Sequence, residues 1–162
     1  MEGHGSPALR RLIEAMPDAI EATHAKLGDA TACVDAAHVA DVLRFLRDDG
    51  DCDFEMLTDL CAVDYLGETP RFEVVYHLYS VTKNHRVRIK ARVPEDPCEI
   101  GTACDIWPSA NWMEREVWDL YGIRFAGHPN LTRLLLYEEF DGHPLRKDYP
   151  KERRQPLVGP RN

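Results

Sequence analysis

The sequence predicts an α+β domain, with a largely antiparallel mixed sheet, helices packed against it and an extended C-terminal arm. Three observations predict it. Phe72, Val74, Tyr76 and Leu78 alternate with polar or mixed neighbours, and Val87, Ile89, Ala91 and Val93 with basic ones, and one hairpin register satisfies both strands. Strands are joined to one another more often than they alternate with helices, which disfavours a doubly wound parallel fold. From Ile123 on, regular periodicity fades and Gly-His-Pro occurs twice, at Gly127, His128, Pro129 and at Gly142, His143, Pro144. A proline behind each histidine excludes the α region there, so the chain is aimed rather than coiled.

Taken in order, Ser6 is a candidate N-cap with Pro7 in the first helical position. Leu9, Leu12, Ile13 and Met16 then form an apolar face that Pro17 ends. Gly28-Asp29 between two short alternating runs predicts a hairpin near 20–26 and 30–34. Asp35 is placed to cap a helix carrying Val39, Val42, Leu43 and Leu46, with Gly50 as its stop.

Eight acidic residues follow between Asp48 and Glu68 with no Lys or Arg among them. A calcium loop starting at Asp49 would need Gly at its sixth position and Glu at its twelfth, where Phe54 and Leu60 stand. A solvated acidic surface is the expectation. The apolar residues threaded through it, Phe54, Met56, Leu57, Leu60 and Val63, fit either a strand or a helix. In the hairpin that follows, a four-residue connection at Val81–Asn84 sets Leu78 against Val87, Tyr76 against Ile89, Val74 against Ala91 and Glu73 against Arg92. The stripe Arg86, Arg88, Lys90, Arg92 guards an exposed sheet face or, less simply, contacts phosphates. Pro94–Pro108 reads as a loop.

Asn111 is then a candidate N-cap with Glu114 three residues on, a capping box, and Gly122 stands where a left-handed C-terminal residue belongs. Met113, Val117, Leu120 and Tyr121 form the helix's apolar stripe. Glu114 and Glu116, two apart, point to different faces and do not make a catalytic carboxylate pair. Arg115 and Asp119, four apart, are expected to pair locally or to bridge to a neighbouring chain. His128 and His143 offer either acid/base or metal chemistry, with Asp148 as a third group, or two rigid corners whose rings bond backbone.

The 162 residues carry a formal charge of −8. Nineteen acidic residues stand against eleven basic ones through residue 100, and nine against nine after it; from Arg146 on there are six basic and two acidic residues. An acidic body disfavours non-specific nucleic-acid binding, which draws on phosphate neutralisation. Cys33, Cys52, Cys61, Cys98 and Cys104 contain no Cys-x-x-Cys, so disulfide, iron-sulfur and structural zinc frameworks lack their usual spacing. A reducing compartment is expected. No run approaches the ~18–20 apolar residues of a membrane span.

The runs E-R-E-V-W-D-L-Y-G-I-R-F-A-G-H-P-N-L-T-R-L-L at Glu114–Leu135 and F-D-G-H-P-L-R-K-D-Y-P at Phe140–Pro150 closely resemble the signature of the NADH-quinone oxidoreductase C-subunit family of respiratory complex I. Weaker similarity reaches back through R-F-E-V-V-Y-H-L-Y-S, R-V-P-E-D and W-P-S-A-N-W, over residues 7–150 in all. After Pro150 the sequence departs from the Leu-x-Gly run usual in the family. The resemblance implies a subunit with no cofactor of its own, non-catalytic in isolation, in the peripheral arm of a proton-pumping translocase. It further implies a position on the cytoplasmic side of the bacterial inner membrane, with membrane contact only through the complex. Its partners would be the quinone-site subunit and iron-sulfur subunits, with FMN, clusters and quinone held by them. Related subunits of membrane-bound hydrogenases, or of quinone oxidoreductases fed by donors other than NADH, share this signature.

The signature maps onto Glu114, Arg115, Glu116, Asp119, Gly122, Gly127, His128, Pro129, Gly142, His143, Pro144, Arg146, Lys147 and Asp148, carried over as fold and docking residues. The expected organisation is an α+β core over 1–110, a signature helix with an extended docking segment over 111–150, and a basic tail over 151–162. Phe125–Asn162 is expected to be loosely packed until it docks, with Arg146 and Lys147 facing carboxylates of a neighbouring subunit. A free-standing soluble enzyme using His128 and His143 is the rival from another class.

Overall fold

The structure, a computed structural model, describes residues 6–156. Five strands form one sheet in the order β1 (Ile20–His24), β2 (Thr31–Val34), β5 (His85–Val93), β4 (Phe72–Ser80), β3 (Met56–Asp64). Only β2 and β5 run parallel; the other neighbours are antiparallel. The expected β4–β5 register is the observed one, with Leu78 opposite Val87, Tyr76 opposite Ile89, Val74 opposite Ala91 and Glu73 opposite Arg92. The undecided 54–63 run becomes β3 from Met56 on, with Phe54 buried in the core just before it. As an outer strand of the sheet it pairs with β4 along its length but for one bulge at Thr58, and that ladder decides what apolar spacing alone did not.

One face of the sheet is the core. Phe72, Val74, Tyr76 and Leu78 from β4, with Val87, Ile89, Ala91 and Val93 from β5, pack among Leu9 and Leu12 of α1 (Pro7–Ala15) and Val42, Leu43 and Leu46 of α2 (Val39–Asp48). The other face carries the basic stripe, and each of its cations has a partner. Arg88 meets Asp29, Lys90 meets Glu73, Arg92 meets Glu68 at 2.9–3.0 Å, and Arg86 lies over the Tyr79 ring.

Several local expectations are corrected. Asp35 caps a 3-10 turn over Ala36–His38 through the Ala37 amide, and α2 starts only after it. That helix stops at Asp49, whose carbonyl receives the Cys52 and Asp53 amides, so Gly50 is not its left-handed terminus. Asp64 is not solvated but 3 % exposed. The 94–108 loop contains β6 (Glu99–Gly101), which pairs in parallel with β7 (Arg124–Ala126).

The signature helix α3 (Ala110–Tyr121) lies against β3. Asn111 does not cap it. The Ala110 and Asn111 amides reach back to the Trp107 and Pro108 carbonyls, which gives two of the first-turn amides partners without a capping box. Its fully buried face is Ala110, Glu114, Val117 and Asp119, whereas Met113, Leu120 and Tyr121 are half-buried. After β7 the chain has no further helix or strand through residue 156. Residues 157–162 of the expected basic tail lie outside the described residues.

Candidate functional site

The last four carbonyls of an α-helix have no partner inside it. In α3 the Trp118 carbonyl receives the Gly122 amide. The second Gly-His-Pro and the two residues after it supply the others: His143 Nδ1 donates to the Asp119 carbonyl at 2.9 Å, the Leu145 amide to Leu120 at 3.1 Å, and Arg146 Nε to Tyr121 at 2.5 Å. Gly122 makes this possible. It sits at φ 76°, and a Cβ there would stand 2.6 Å from the His143 ring and 2.9 Å from Arg146, so no side chain fits.

Asp119 is the second fixed point. Its carboxylate is fully buried; Oδ2 accepts the successive amides of Leu134, Leu135 and Leu136 at 2.8–3.0 Å, and Oδ1 accepts Arg133 Nη1 at 2.7 Å. Burial pushes its pKa up, but these amides and Arg133 outweigh burial and hold it below the ordinary range. The expected Arg115–Asp119 pair is therefore replaced. Arg115 donates instead to the Thr132 and Arg133 carbonyls and covers the Trp112 ring. Arg133 in turn reaches the Phe140 carbonyl at 2.7 Å, closing the intervening loop.

The first Gly-His-Pro serves the beginning of α3. The Asn130 amide donates to His128 Nδ1 at 3.0 Å, which leaves the ring proton on Nε2, and Nε2 donates to the Asn111 carbonyl at 3.1 Å. Gly127, at φ 84°, lies against Thr102. Glu114 is fully buried close by and accepts from Thr102 Oγ1 and the Ala103 amide, both at 2.6 Å, and from Cys104 Sγ at 3.4 Å. Burial raises its pKa, and those donors only partly offset that.

Residues 128–146 thus form a strap that follows α3 from Asn111 to Tyr121. The strap then reaches the sheet. Arg71, 4 % exposed, grips Asp64 with two bonds at 2.8–2.9 Å, meets Glu95 at 2.6 Å and meets Asp148 at 2.9 Å, while the Lys147 amide donates to Asp64 at 2.8 Å. The Phe72 ring lies beneath both Arg71 and Arg146. Arg71 holds Asp64 and Asp148 below the ordinary carboxylate range.

The signature residues therefore divide. Gly122, Asp119, His143 and Arg146 meet at the end of α3; Glu114, Gly127 and His128 meet at the Thr102 loop; Asp148 joins Arg71. Pro129 and Pro144 follow the two ring contacts. Glu116 and the Lys147 side chain face solvent. Arg146 is engaged within its own chain rather than held out to a neighbour. Sequence reasoning missed Asp64, Arg71, Thr102 and Arg133. Arg133 lies inside the quoted signature run, and Arg71 opens the more weakly similar R-F-E-V-V-Y-H-L-Y-S run at the mouth of a strand.

His128 and His143 are not one site. Their carbonyl partners are eight residues apart along α3, about 12 Å at 1.5 Å per residue. Cys104, Glu114 and His128 do place ligand atoms within 4.8 Å of one another, but both ring nitrogens of His128 already have backbone partners. Burial pushes the Cys104 thiol up to about 11.

The sequence profile of the respiratory-chain NADH dehydrogenase 30 kDa subunit matches residues 32–155. The chain belongs to this family. The NADH-quinone oxidoreductase C subunit of Hyphomonas neptunium is 47 % identical over 135 residues, 83 % of this chain and 66 % of that protein. The C subunit of a Roseiflexus species is 49 % identical over 142 residues, 88 % of this chain and 82 % of that protein. Among solved structures, a trypsin-resistant fragment (1–134) of Nqo5 superposes with a TM-score of 0.68 at 32 % identity, covering 76 % of this chain and 99 % of the fragment. Among the described residues, no helix is long and apolar enough to cross a membrane.

Proposed function

We propose that this chain is a cofactor-free scaffold of the peripheral arm of a proton-pumping NADH:quinone oxidoreductase. It docks on the quinone-site subunit and nearby iron-sulfur subunits through α3 and the strap. It is non-catalytic alone and meets the cytoplasmic face of the inner membrane only through its partners. The supporting observation is the assignment of the signature side chains. Both histidines, Arg115, Asp119, Arg133 and Arg146 satisfy backbone groups, which shapes a surface rather than presenting an acid, a base or a nucleophile to a substrate. That surface exposes Trp112, Leu135 and Leu145 at 61 %, 62 % and 49 %. Exposed large side chains on a rigid frame are what an interface core needs.

Isolation of the native chain from membranes tests the reading. Co-purification with quinone-site, iron-sulfur and flavin-bearing NADH-oxidising subunits is the expected result, and recovery as a lone soluble protein would overturn it. Recovery with a hydrogenase module in place of the NADH-oxidising one would move the chain to a related complex. Leu135→Glu is expected to leave the isolated fold unchanged and to lower recovery of the assembled complex.

A further inference from the structure

We propose that Asp59, Cys61 and His77 form a surface site for a single divalent transition-metal ion, zinc by its ligand chemistry, on the sheet face opposite the core. The three side chains place one carboxylate oxygen, one sulfur and one ring nitrogen within 4.8 Å of one another. A tetrahedral zinc ion with bonds of about 2.0–2.3 Å holds its ligand atoms roughly 3.5 Å apart, a difference that small side-chain rotations close.

The backbone builds the cluster. Between β3 and β4 the register steps from Leu57 opposite Leu78 to Asp59 opposite His77, so Thr58 is the extra residue of a bulge. Without that step Thr58 would face His77 and Asp59 would turn toward the core. With it, Asp59 and Cys61 share one face of β3, and His77 stands across from Asp59. Thr58 Oγ1 donates to the His77 carbonyl at 2.9 Å and pins the bulge. Bulges of this kind re-aim side chains near sites.

The ligands are also uncommitted. Unlike Cys104, Glu114 and His128, these three side chains have no hydrogen bond or ion pair among the described residues. Asp59 is exposed while Cys61 and His77 are half-buried, which leaves the solvent side for a water as fourth ligand. Thiolate and carboxylate together neutralise a dication. Arg88 and Lys90, which stand on β5 opposite His77 and Val75, are already paired with Asp29 and Glu73. Binding releases the Cys61 proton, so affinity rises with pH.

The untagged full chain, reduced and stripped by chelator, is titrated with Co2+ and then Zn2+. One equivalent of Co2+ is expected to give a thiolate-to-cobalt charge-transfer band with tetrahedral visible bands, which Zn2+ abolishes. Cys61→Ser should remove the charge-transfer band, and Asp59→Asn and His77→Ala should each weaken binding at least about tenfold. Cys104→Ser should change nothing. Absence of the band at tenfold excess Co2+ would overturn the proposal, as would a band that survives Cys61→Ser and vanishes in Cys104→Ser. Asp59 is exposed, so its variant keeps the fold and decides the matter even where the others do not express.

Discussion

The sheet and the strap are held by different physics. In β4 and β5, nine consecutive residue pairs share one ladder while alternate side chains enter a common apolar core. Stability there is spread over many similar contributions. From His128 to Asp148 there is no ladder, and order comes from a few polar side chains, each serving several backbone groups: Asp119 takes three amides and a guanidinium, Arg133 three carbonyls, and Arg71 three carboxylates. A segment organised this way carries its shape without a core of its own. It is correspondingly sensitive to the loss of a single side chain.

The largest expected effect is Asp119→Ala. Removing one partner of a buried ion pair costs about 3–5 kcal/mol, and three amides lose their acceptor as well. The strap should open while the sheet keeps its circular dichroism, with urea unfolding showing a new early phase read by strap-specific probes. A single transition with uniformly lowered midpoint would break the contrast between the regions. Ile89→Ala, in the fully buried centre of β5, should instead cost about 2–5 kcal/mol and lower the main thermal transition of the whole chain.

The same division explains what was legible in the sequence. The β4–β5 register followed from residues two apart, where alternation and the Glu73–Arg92 pairing agree, and Gly122 followed from its place after an apolar helix. Glu114 fits a capping box by spacing, yet its carboxylate binds a loop ten to twelve residues back. Asp119 finds partners 14–17 residues ahead, and Arg71 finds one 77 residues away. Such bonds follow no period, and an Arg or Asp that makes them looks like any surface charge until the fold is closed. The resemblance marked Asp119, His143 and Arg146 as important without giving the backbone groups they satisfy.

Acidification should sharpen the contrast. Burial first, with Arg146 and Arg133 adding, keeps the His143 pKa below its ordinary value, despite the Asp119 carbonyl. A histidine depressed in the folded state gives its full contribution above about pH 6.5 and loses it as pH falls toward its lower folded value. Asp119, Asp64 and Asp148, also depressed, give a second loss below about pH 3.9. Glu114 acts oppositely, since its raised pKa favours the protonated folded form, and protonation as pH falls relieves the buried carboxylate at the Thr102 loop. Hydrogen exchange at Leu145 against exchange in β5, measured from pH 7 to 5, checks the first step: protection at Leu145 should fall more. The smallest effect is expected for Glu95→Gln, whose side chain is 56 % exposed while Asp64 and Asp148 still hold Arg71; a contact screened by solvent on the carboxylate side is worth about 0–1 kcal/mol, read as a small shift in melting temperature.

Native-state hydrogen exchange on the isolated wild-type chain and on Asp119→Asn separates the strap from the sheet, because the amides of Leu134, Leu135 and Leu136 report the clasp itself. Protection at these three positions should be present in the wild type and below that of β4 and β5, and in the variant it should vanish there while the sheet amides are unchanged. Wild-type amides at 134–136 that exchange as freely as an unfolded chain, or a variant that loses protection equally in strap and sheet, would contradict the account.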